Sequence, residues 1–328
     1  MQTVHAIRVH QLGGPEQLRF EPVEVGDPGP GEVRLRHTAI GLNFTDVHFR
    51  TGRYPLPHLP HVIGMEGAGV IEALGPGCPA ELREGDRVAY AAERPRSYSE
   101  AAVMPAQRLV KLPSDISDEL GAAMVLKGLT AQYLIRSTYR ISAGETILIH
   151  AAAGGVGQIM SQWARSLGVQ VIGTVGSEEK VAIARRCGCD HVLVLGRDDV
   201  VARVRELTGG QGLPVVYDGV GASTFESSLA SVRRRGLVVS YGSASGIVAP
   251  IELFRLNRMG SIFITSAGLA DYISDRAEML ERADELFDVV RRGAVRVDIT
   301  RRYRLADAAQ AHRDLEARVT SGSCLLIP

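Results

Sequence analysis

The sequence predicts an α/β protein in two parts, a β-rich domain and a doubly wound parallel sheet. Three observations carry this expectation. The apolar run Thr146-Ile147-Leu148-Ile149-His150 passes through Ala151-Ala152-Ala153-Gly154-Gly155-Val156-Gly157 into an amphipathic segment at 158–167, which reads as strand, tight turn, helix. Short alternating runs punctuated by Gly and Pro fill the chain up to about residue 123, the pattern of a β-rich domain. From about 126 to 265 apolar strands alternate with helical segments, the pattern of repeated strand-helix units closing a parallel sheet.

Taken in order, Glu32-Val33-Arg34-Leu35-Arg36 and Gly69-Val70-Ile71-Glu72-Ala73 alternate with the period of half-buried strands. In the second part, Thr146 to His150 is followed by strands at Gln170-Val171-Ile172-Gly173-Thr174, at 193–195, at Val215-Val216-Tyr217-Asp218, at Leu237-Val238-Val239-Ser240 and at Ile262-Phe263-Ile264. Long amphipathic helices are expected at 278–292 and 306–318, and a closing strand at Cys324-Leu325-Leu326-Ile327. Arg233-Arg234-Arg235 and Arg301-Arg302 read as solvated loops.

The turn after the first strand of the parallel sheet is where chemistry enters. Small residues let the backbone approach a pyrophosphate, and free amides at a helix N-terminus face its charge. Ala152, Gly154 and Gly157 fill the three fingerprint positions, so Ala153, Gly154, Gly155, Val156 and Gly157 are expected to line a dinucleotide. Glycine-rich turns also join strands to helices for packing alone, so the surrounding strand-helix pattern carries the assignment. The end of the second strand reads Val175-Gly176-Ser177, with Lys180 following. An acid there would take the ribose hydroxyls of NADH, whereas a hydroxyl and a cation suit a 2′-phosphate, so NADPH is the expected cofactor, bound through Gly176, Ser177 and Lys180. A solvated helix lysine is the ordinary alternative for Lys180, although only three of the 37 basic residues are lysines. Tyr241-Gly242-Ser243, just after a strand, falls at the carboxyl edge of the sheet, where ligands usually bind.

Composition narrows the partners. Basic and acidic residues both total 37, which gives formal neutrality and no basic field for nucleic acid or anionic membrane. No apolar stretch approaches the ~20 residues of a membrane span, and Met1 to His10 lacks the layout of a signal peptide, so a cytoplasmic location is expected. Four scattered cysteines, Cys78, Cys187, Cys189 and Cys324, form no disulfide framework. Cys187 and Cys189 read as packing residues with no second ligand pair for zinc.

Motifs along the whole chain resemble one family. Gly41-Leu42-Asn43-Phe44-Thr45-Asp46, Arg50-Thr51-Gly52-Arg53-Tyr54-Pro55, Leu126-Lys127-Gly128-Leu129-Thr130-Ala131, the run from Gly144-Glu145 through Gly157 to Gln162 and Arg165, and Ser321-Gly322-Ser323 are similar to the quinone oxidoreductase branch, the zeta-crystallin-like enzymes, of the medium-chain dehydrogenase/reductase superfamily. The resemblance implies a GroES-like catalytic domain over 1–125, a Rossmann domain over 126–266 and a return to the catalytic domain over 267–328. It also implies a homodimer, a small quinone as substrate, and a cleft in which Asn43 and Tyr54 border nicotinamide and substrate, with Lys127 and Thr130 near the cofactor. As alternatives, Tyr54 packs beneath a proline loop, Asn43 is a turn residue, and Lys127 caps a helix.

Zinc alcohol dehydrogenases of the superfamily carry a cysteine where Asn43 or its neighbour stands and a histidine where Met65 stands. Both ligands are missing here, as is the lobe of four close cysteines, so no metal is expected. His58 and His61 offer no obvious third ligand. Without a Lewis acid, reduction of an ordinary ketone lacks its charge stabiliser, but a quinone delocalises added charge over both oxygens and needs less help. The expected activity is therefore NADPH-dependent reduction of small quinones. A rival is an enone reductase in which Tyr54 protonates the enolate, and a third, of another class, is a non-catalytic structural or RNA-binding role. Two departures from the branch stand out. Leu195 or its neighbour replaces a tyrosine or histidine beside the adenosine phosphate, and Ser266 replaces a frequent arginine; Arg197 is a candidate to compensate.

Overall fold

The computed structural model describes all residues from Met1 to Pro328. The chain divides into two compact units, one of Met1–Lys127, Asp275–Ala283 and Val297–Pro328, the other of Gly128–Ser274 and Asp284–Arg296. These limits differ from boundaries after 125 and 266. The reason is local: helix Asp118–Tyr133 runs through the first crossing without a break, and helix Arg276–Arg291 is shared between the units.

The first unit holds β1 (Gln2–Val9), β2 (Leu18–Val25), β3 (Glu32–Leu42), α1 (Phe44–Arg50), β4 (His61–Val62), β5 (Glu66–Leu74), β6 (Arg87–Ala91), β7 (Ala101–Pro105), β8 (Leu109–Lys111) and the first part of α2 (Asp118–Tyr133). Its two sheets have the orders β2-β1-β4 and β15-β16-β3-β5-β6-β8, β7 pairing β3, once β15 (Ile299–Arg304) and β16 (Ser323–Ile327) are added from the end of the chain. Strand β3 alternates buried and partly exposed residues over its first half, then buries Ala39 to Leu42 on both faces. Val33, Leu35, Ile71, Val88 and Tyr90 share one core cluster. The second half of β3 delivers Gly41 and then Asn43 into a wholly buried setting.

The second unit is one six-stranded sheet, β11-β10-β9-β12-β13-β14, from β9 (Thr146–Ile149), β10 (Gln170–Val175), β11 (His191–Val194), β12 (Leu213–Asp218), β13 (Val232–Ser240) and β14 (Phe263–Ser266). Every pairing is parallel. The order reverses between β9 and β12, which makes the carboxyl ends of those strands the switch point where such sheets bind ligands. Helices α3 (Gly155–Ser166), α4 (Val181–Arg186), α5 (Val200–Leu207), α6 (Phe225–Ser231) and α7 (Leu253–Arg258) fill the crossovers; α8 (Leu269–Tyr272), α9 (Arg276–Arg291) and α10 (Ala308–Glu316) follow the last strand of the sheet. Leu148, Ile172, Val216 and Val238, one from each of four adjacent strands, share a core cluster.

Both arginine runs lie in strands rather than loops. Arg233 to Arg235 form the exposed start of β13, and Arg301 and Arg302 sit in β15, paired with Asp314 and Glu119. A strand needs backbone partners more than apolar side chains, and β16 supplies them for β15. Cys187 and Cys189 are buried, and burial pushes the Cys189 thiol up to about 12, so it stays protonated.

Candidate functional site

In the second unit the glycine turn leaves β9 and enters α3. Ala151 takes a left-handed backbone, φ 54°, which a non-glycine residue adopts only at a cost. Glycine at position 154 caps α3 with no side chain to bond its first turn, so the amides of Gly155, Val156 and Gly157 lack intrahelical partners. Gly157 is the tightest of the set: a Cβ there would lie 2.4 Å from the Ala151 carbonyl oxygen and 2.8 Å from Ala152 Cα. At Gly154 the nearest atom would be 3.2 Å away, and at Gly176 nothing lies within 4 Å. The helix is thus pressed against its own turn at Gly157 while Gly154 and Gly176 leave room for a ligand backbone, the arrangement a pyrophosphate requires.

A buried polar network holds this end of the sheet. Fully buried His150 bonds Thr174 Oγ1 at 2.8 Å through Nδ1 and Ser228 Oγ at 3.0 Å through Nε2. Asp218 accepts from Ser228 Oγ at 2.7 Å, from Thr224 Oγ1 at 2.8 Å, and from the amides of Val220 and Gly221 at 2.9 Å. Burial is the larger influence on His150 and holds its ring below the ordinary histidine range, hence neutral, against the pull of the Asp218 charge. The loop so anchored supports Tyr241-Gly242-Ser243: Tyr241 N–H donates to Asp218 O at 2.9 Å, and a Cβ on Gly242 would meet Gly219 O at 2.6 Å. Gly219 in turn lies against the Tyr241 ring, where a Cβ would meet ring atoms at 2.7 to 2.9 Å.

The ends of β10 and β11 carry the remaining nucleotide candidates. Ser177 and Lys180 are partly exposed and bracket Glu178 and Glu179, two acids in the turn that spacing alone does not single out. Glu178 is ion-paired with Arg197, and the Ser177 hydroxyl beside Glu179 holds that carboxyl below its ordinary range. Leu195 donates its amide to Val175 O at 2.9 Å and packs on the core, so it presents no polar group to this end of the sheet. Ser266 closes β14 opposite Ser240 and is exposed.

In the first unit Asn43, Lys127 and Glu66 form one buried cluster. Asn43 is the N-cap of α1, in a reciprocal capping box with Asp46. Its Nδ2 donates to Glu66 Oε2 at 2.9 Å. Lys127 Nζ donates to the same oxygen at 2.6 Å, and Glu66 Oε1 accepts the Leu126 amide at 2.8 Å. Lys127 therefore sits inside α2 and caps no helix end; Thr130, one turn on, is also buried. The glycine of Gly41-Leu42-Asn43 makes this possible, since a Cβ on Gly41 would lie 2.3 Å from Glu66 Oε2 and 2.4 Å from Ala122 O. Tyr54 is 39% exposed. Its ring meets His48 edge-on at 5.1 Å and Phe49 at 5.4 Å, and its amide donates to His48 O at 3.1 Å. Burial, with a smaller effect of Arg53, holds His48 down at about 4, a neutral imidazole beside the phenol.

Behind Asn43 runs a chain of buried polar groups. Asp46 Oδ2 accepts from the Asn43 amide at 2.9 Å and from Tyr98 Oη at 3.0 Å. Tyr98 Oη lies 3.0 Å from His312 Nε2, and His312 Nδ1 lies 3.1 Å from Arg50 Nη1. Arginine only donates, so Nδ1 accepts, the His312 proton sits on Nε2 and points at Tyr98, and the Tyr98 proton points at Asp46. Asp46 Oδ1 is buried without a partner. Burial pushes the Asp46 carboxyl up to about 7. Glu66, Asp46, His48 and Asp218 were not singled out as site residues from sequence; only Asp46 carried a legible signal, the Asn-x-x-Asp spacing of a capping box.

No group of three or more His, Cys, Asp or Glu side chains is assembled that could hold a metal ion. Asn43 and half-buried Met65 flank Glu66, and the His58 and His61 rings, 4.8 Å apart, gather no acidic or cysteine ligand. No helix is long and apolar enough to cross a membrane.

The alcohol dehydrogenase GroES-like domain model matches residues 29–114 and the zinc-binding dehydrogenase model residues 155–285. A quinone oxidoreductase of Pseudomonas aeruginosa is 49% identical over 98% of this chain and 99% of its own length. A 2-haloacrylate reductase of a Burkholderia species is 43% identical over 99% of both chains. The crystal structure of Escherichia coli quinone oxidoreductase complexed with NADPH superposes with a TM-score of 0.96 at 43% identity, covering 100% of each chain. With its two-unit architecture, its glycine turn at the switch point and full-length identity to such relatives, the chain belongs to the quinone oxidoreductase family of the medium-chain dehydrogenases/reductases.

Proposed function

We propose that this protein reduces small quinones with NADPH. The observation that carries the reading is the uncapped glycine turn at the end of β9, whose free amides and missing Cβ atoms fit a pyrophosphate. Two relatives support it, the Pseudomonas enzyme by its name and the Escherichia coli enzyme by its NADPH complex. The nicotinamide, when bound, supplies the hydride. Ala153 to Gly157 hold the pyrophosphate, Gly176, Ser177 and Lys180 the adenosine phosphate, and Tyr241 to Ser243 flank the switch point. Asn43, Lys127 and Thr130 belong to the nicotinamide end: Glu66 spends one of the three ammonium protons of Lys127 and leaves two, and fixes the Asn43 amide so that it cannot rotate. Tyr54 contacts the acceptor, its ring held edge-on by His48 and Phe49 so that the phenol is aimed with little loss of freedom. Asn43 and Met65 offer no thiolate or imidazole at the positions that bind zinc in metal-dependent relatives, so turnover is expected to be indifferent to chelators.

The Burkholderia relative named for 2-haloacrylate, whose double bond is conjugated to a carboxyl group, favours a second reading, reduction of an activated alkene with Tyr54 as proton donor. The two differ in what they ask of Tyr54. With NADPH and a benzoquinone, Tyr54→Phe is expected to lower kcat/KM by about tenfold or less, the scale of one hydrogen bond. With an enone that uses Tyr54 as its acid the loss is about 100-fold or more. Wild-type turnover of enones with none of quinones would overturn the first reading. Leu253, Phe254 and Phe263, between 59% and 77% exposed beside edge strand β14, support a homodimer through this unit, checked by the mass in solution.

A further inference from the structure

We propose that Arg197 sets the preference for a phosphorylated ribose and that Glu178 is its displaceable counter-ion. The proposal rests on the NADPH reading above and adds a residue that the fingerprint does not contain. Acids at the end of the second strand of such a sheet repel a 2′-phosphate, yet Glu178 and Glu179 follow Ser177 directly. The structure supplies the answer in the neighbouring loop. Leu195 N–H donates to Val175 O at 2.9 Å, so the residues after β11 run beside those after β10. Arg197 is mounted there on a two-pronged fork: its Nε donates to Asp198 Oδ1 and its Nη2 to Asp198 Oδ2, both at 2.8 Å.

Asp198 is itself part of the turn, accepting the Val194 amide at 2.7 Å through its side chain and donating its own amide to Val194 O at 2.9 Å. With one edge of the guanidinium spent on this anchor, Nη1 is left to bind the Glu178 carboxylate across the gap. Glu178 has no such anchor, and its side chain is 67% exposed. The pairing therefore joins a cation anchored by Asp198 to an exposed anion without such an anchor. A ribose phosphate carries nearly two charges and three acceptor oxygens and is the stronger partner for a guanidinium. It would take Nη1 and release Glu178 to solvent. Leu195 brings no polar side chain, so Arg197 is the cation of the loop that follows β11.

The test is equilibrium binding of NADPH and NADH to wild type, Arg197→Ala, Arg197→Lys and Glu178→Gln, read by nicotinamide fluorescence and by calorimetry. Arg197→Ala is expected to weaken NADPH about tenfold or more and leave NADH within about twofold. Arg197→Lys, which keeps the charge but loses the fork, should fall between. Glu178→Gln removes the competitor and should tighten NADPH a few-fold with NADH unchanged. If wild type prefers NADPH and Arg197→Ala keeps the same ratio, Arg197 has no such role although the cofactor reading stands. If wild type binds the two cofactors equally, the cofactor reading itself fails. Weaker NADPH binding by Glu178→Gln would overturn the counter-ion role.

Discussion

Replacing Asp46 by asparagine tests the buried chain behind the α1 cap. Asp46 Oδ2 accepts two hydrogen bonds while Oδ1 accepts none, and the side chain is fully buried. Desolvation outweighs the bonds from Asn43 and Tyr98 and the charge of Lys127, with Glu66 adding repulsion, so the carboxyl rises from 3.8 to about 7. That interval, at ~1.36 kcal/mol per pH unit, corresponds to about 4 kcal/mol. The sign follows from proton uptake. Between 3.8 and about 7 the folded protein holds a proton that the unfolded chain has released, so this group lowers stability as pH rises through the window and adds nothing further above it. His37 and His312, held neutral by burial at about 4 and about 3, act in the opposite direction and lower stability as pH falls below 6.5. They are present in both proteins and cancel in the comparison. The asparagine side chain introduced by Asp46→Asn keeps a carbonyl at the Oδ2 position and cannot ionise, so the stability of this variant relative to wild type should improve by about 3 kcal/mol between pH 5 and pH 8. Urea unfolding of both proteins at several pH values measures this. A difference between them that stays constant within about 0.5 kcal/mol across that range refutes the argument and means that Asp46 remains ionised throughout.

Two glycine comparisons separate packing from ligand approach. Gly157→Ala places a Cβ 2.4 Å from a backbone oxygen that cannot move aside, and should cost about 1–3 kcal/mol of stability even without cofactor, seen as a lowered Tm. Gly154→Ala meets the same oxygen only at 3.2 Å, a milder crowding, and should lower Tm less than Gly157→Ala does while weakening NADPH about tenfold or more, measured by fluorescence titration. Gly41→Ala drives a methyl into Glu66 and Ala122 O, so it should lower Tm and, by displacing the carboxylate that Lys127 and Asn43 share, lower kcat at saturating quinone more than Gly154→Ala does.

The parallel sheet, its glycine turn and the alternating strands of the first unit were legible in the sequence because each rests on local periodicity or on a run of small residues. Ala152, Gly154 and Gly157 could be proposed for the fingerprint because a strand precedes them and a helix follows, and the later helices differ from expectation by a few residues at their ends. The candidate site was legible only in part. Asn43, Lys127 and Tyr54 are visible through motif resemblance, but nothing in the sequence says that Asn43 and Lys127 share one carboxylate, Glu66, brought from another strand. The arginine runs at 233–235 and 301–302 looked like loops because their placement depends on backbone partners distant in sequence, Gly260 O for the Arg235 amide and β16 for Arg301 and Arg302. Glu178 carried no signal of its own until Arg197, 19 residues on, was seen to bind it. Periodicity and turn chemistry are properties of neighbours along the chain, so the elements and the class of ligand can be read before the chain is folded. Burial, ionisation and ion pairing depend on what folds across from each group. It is the packing of distant segments that raises Asp46, keeps His48 and His150 neutral, and matches an acid of the turn after β10 with a cation.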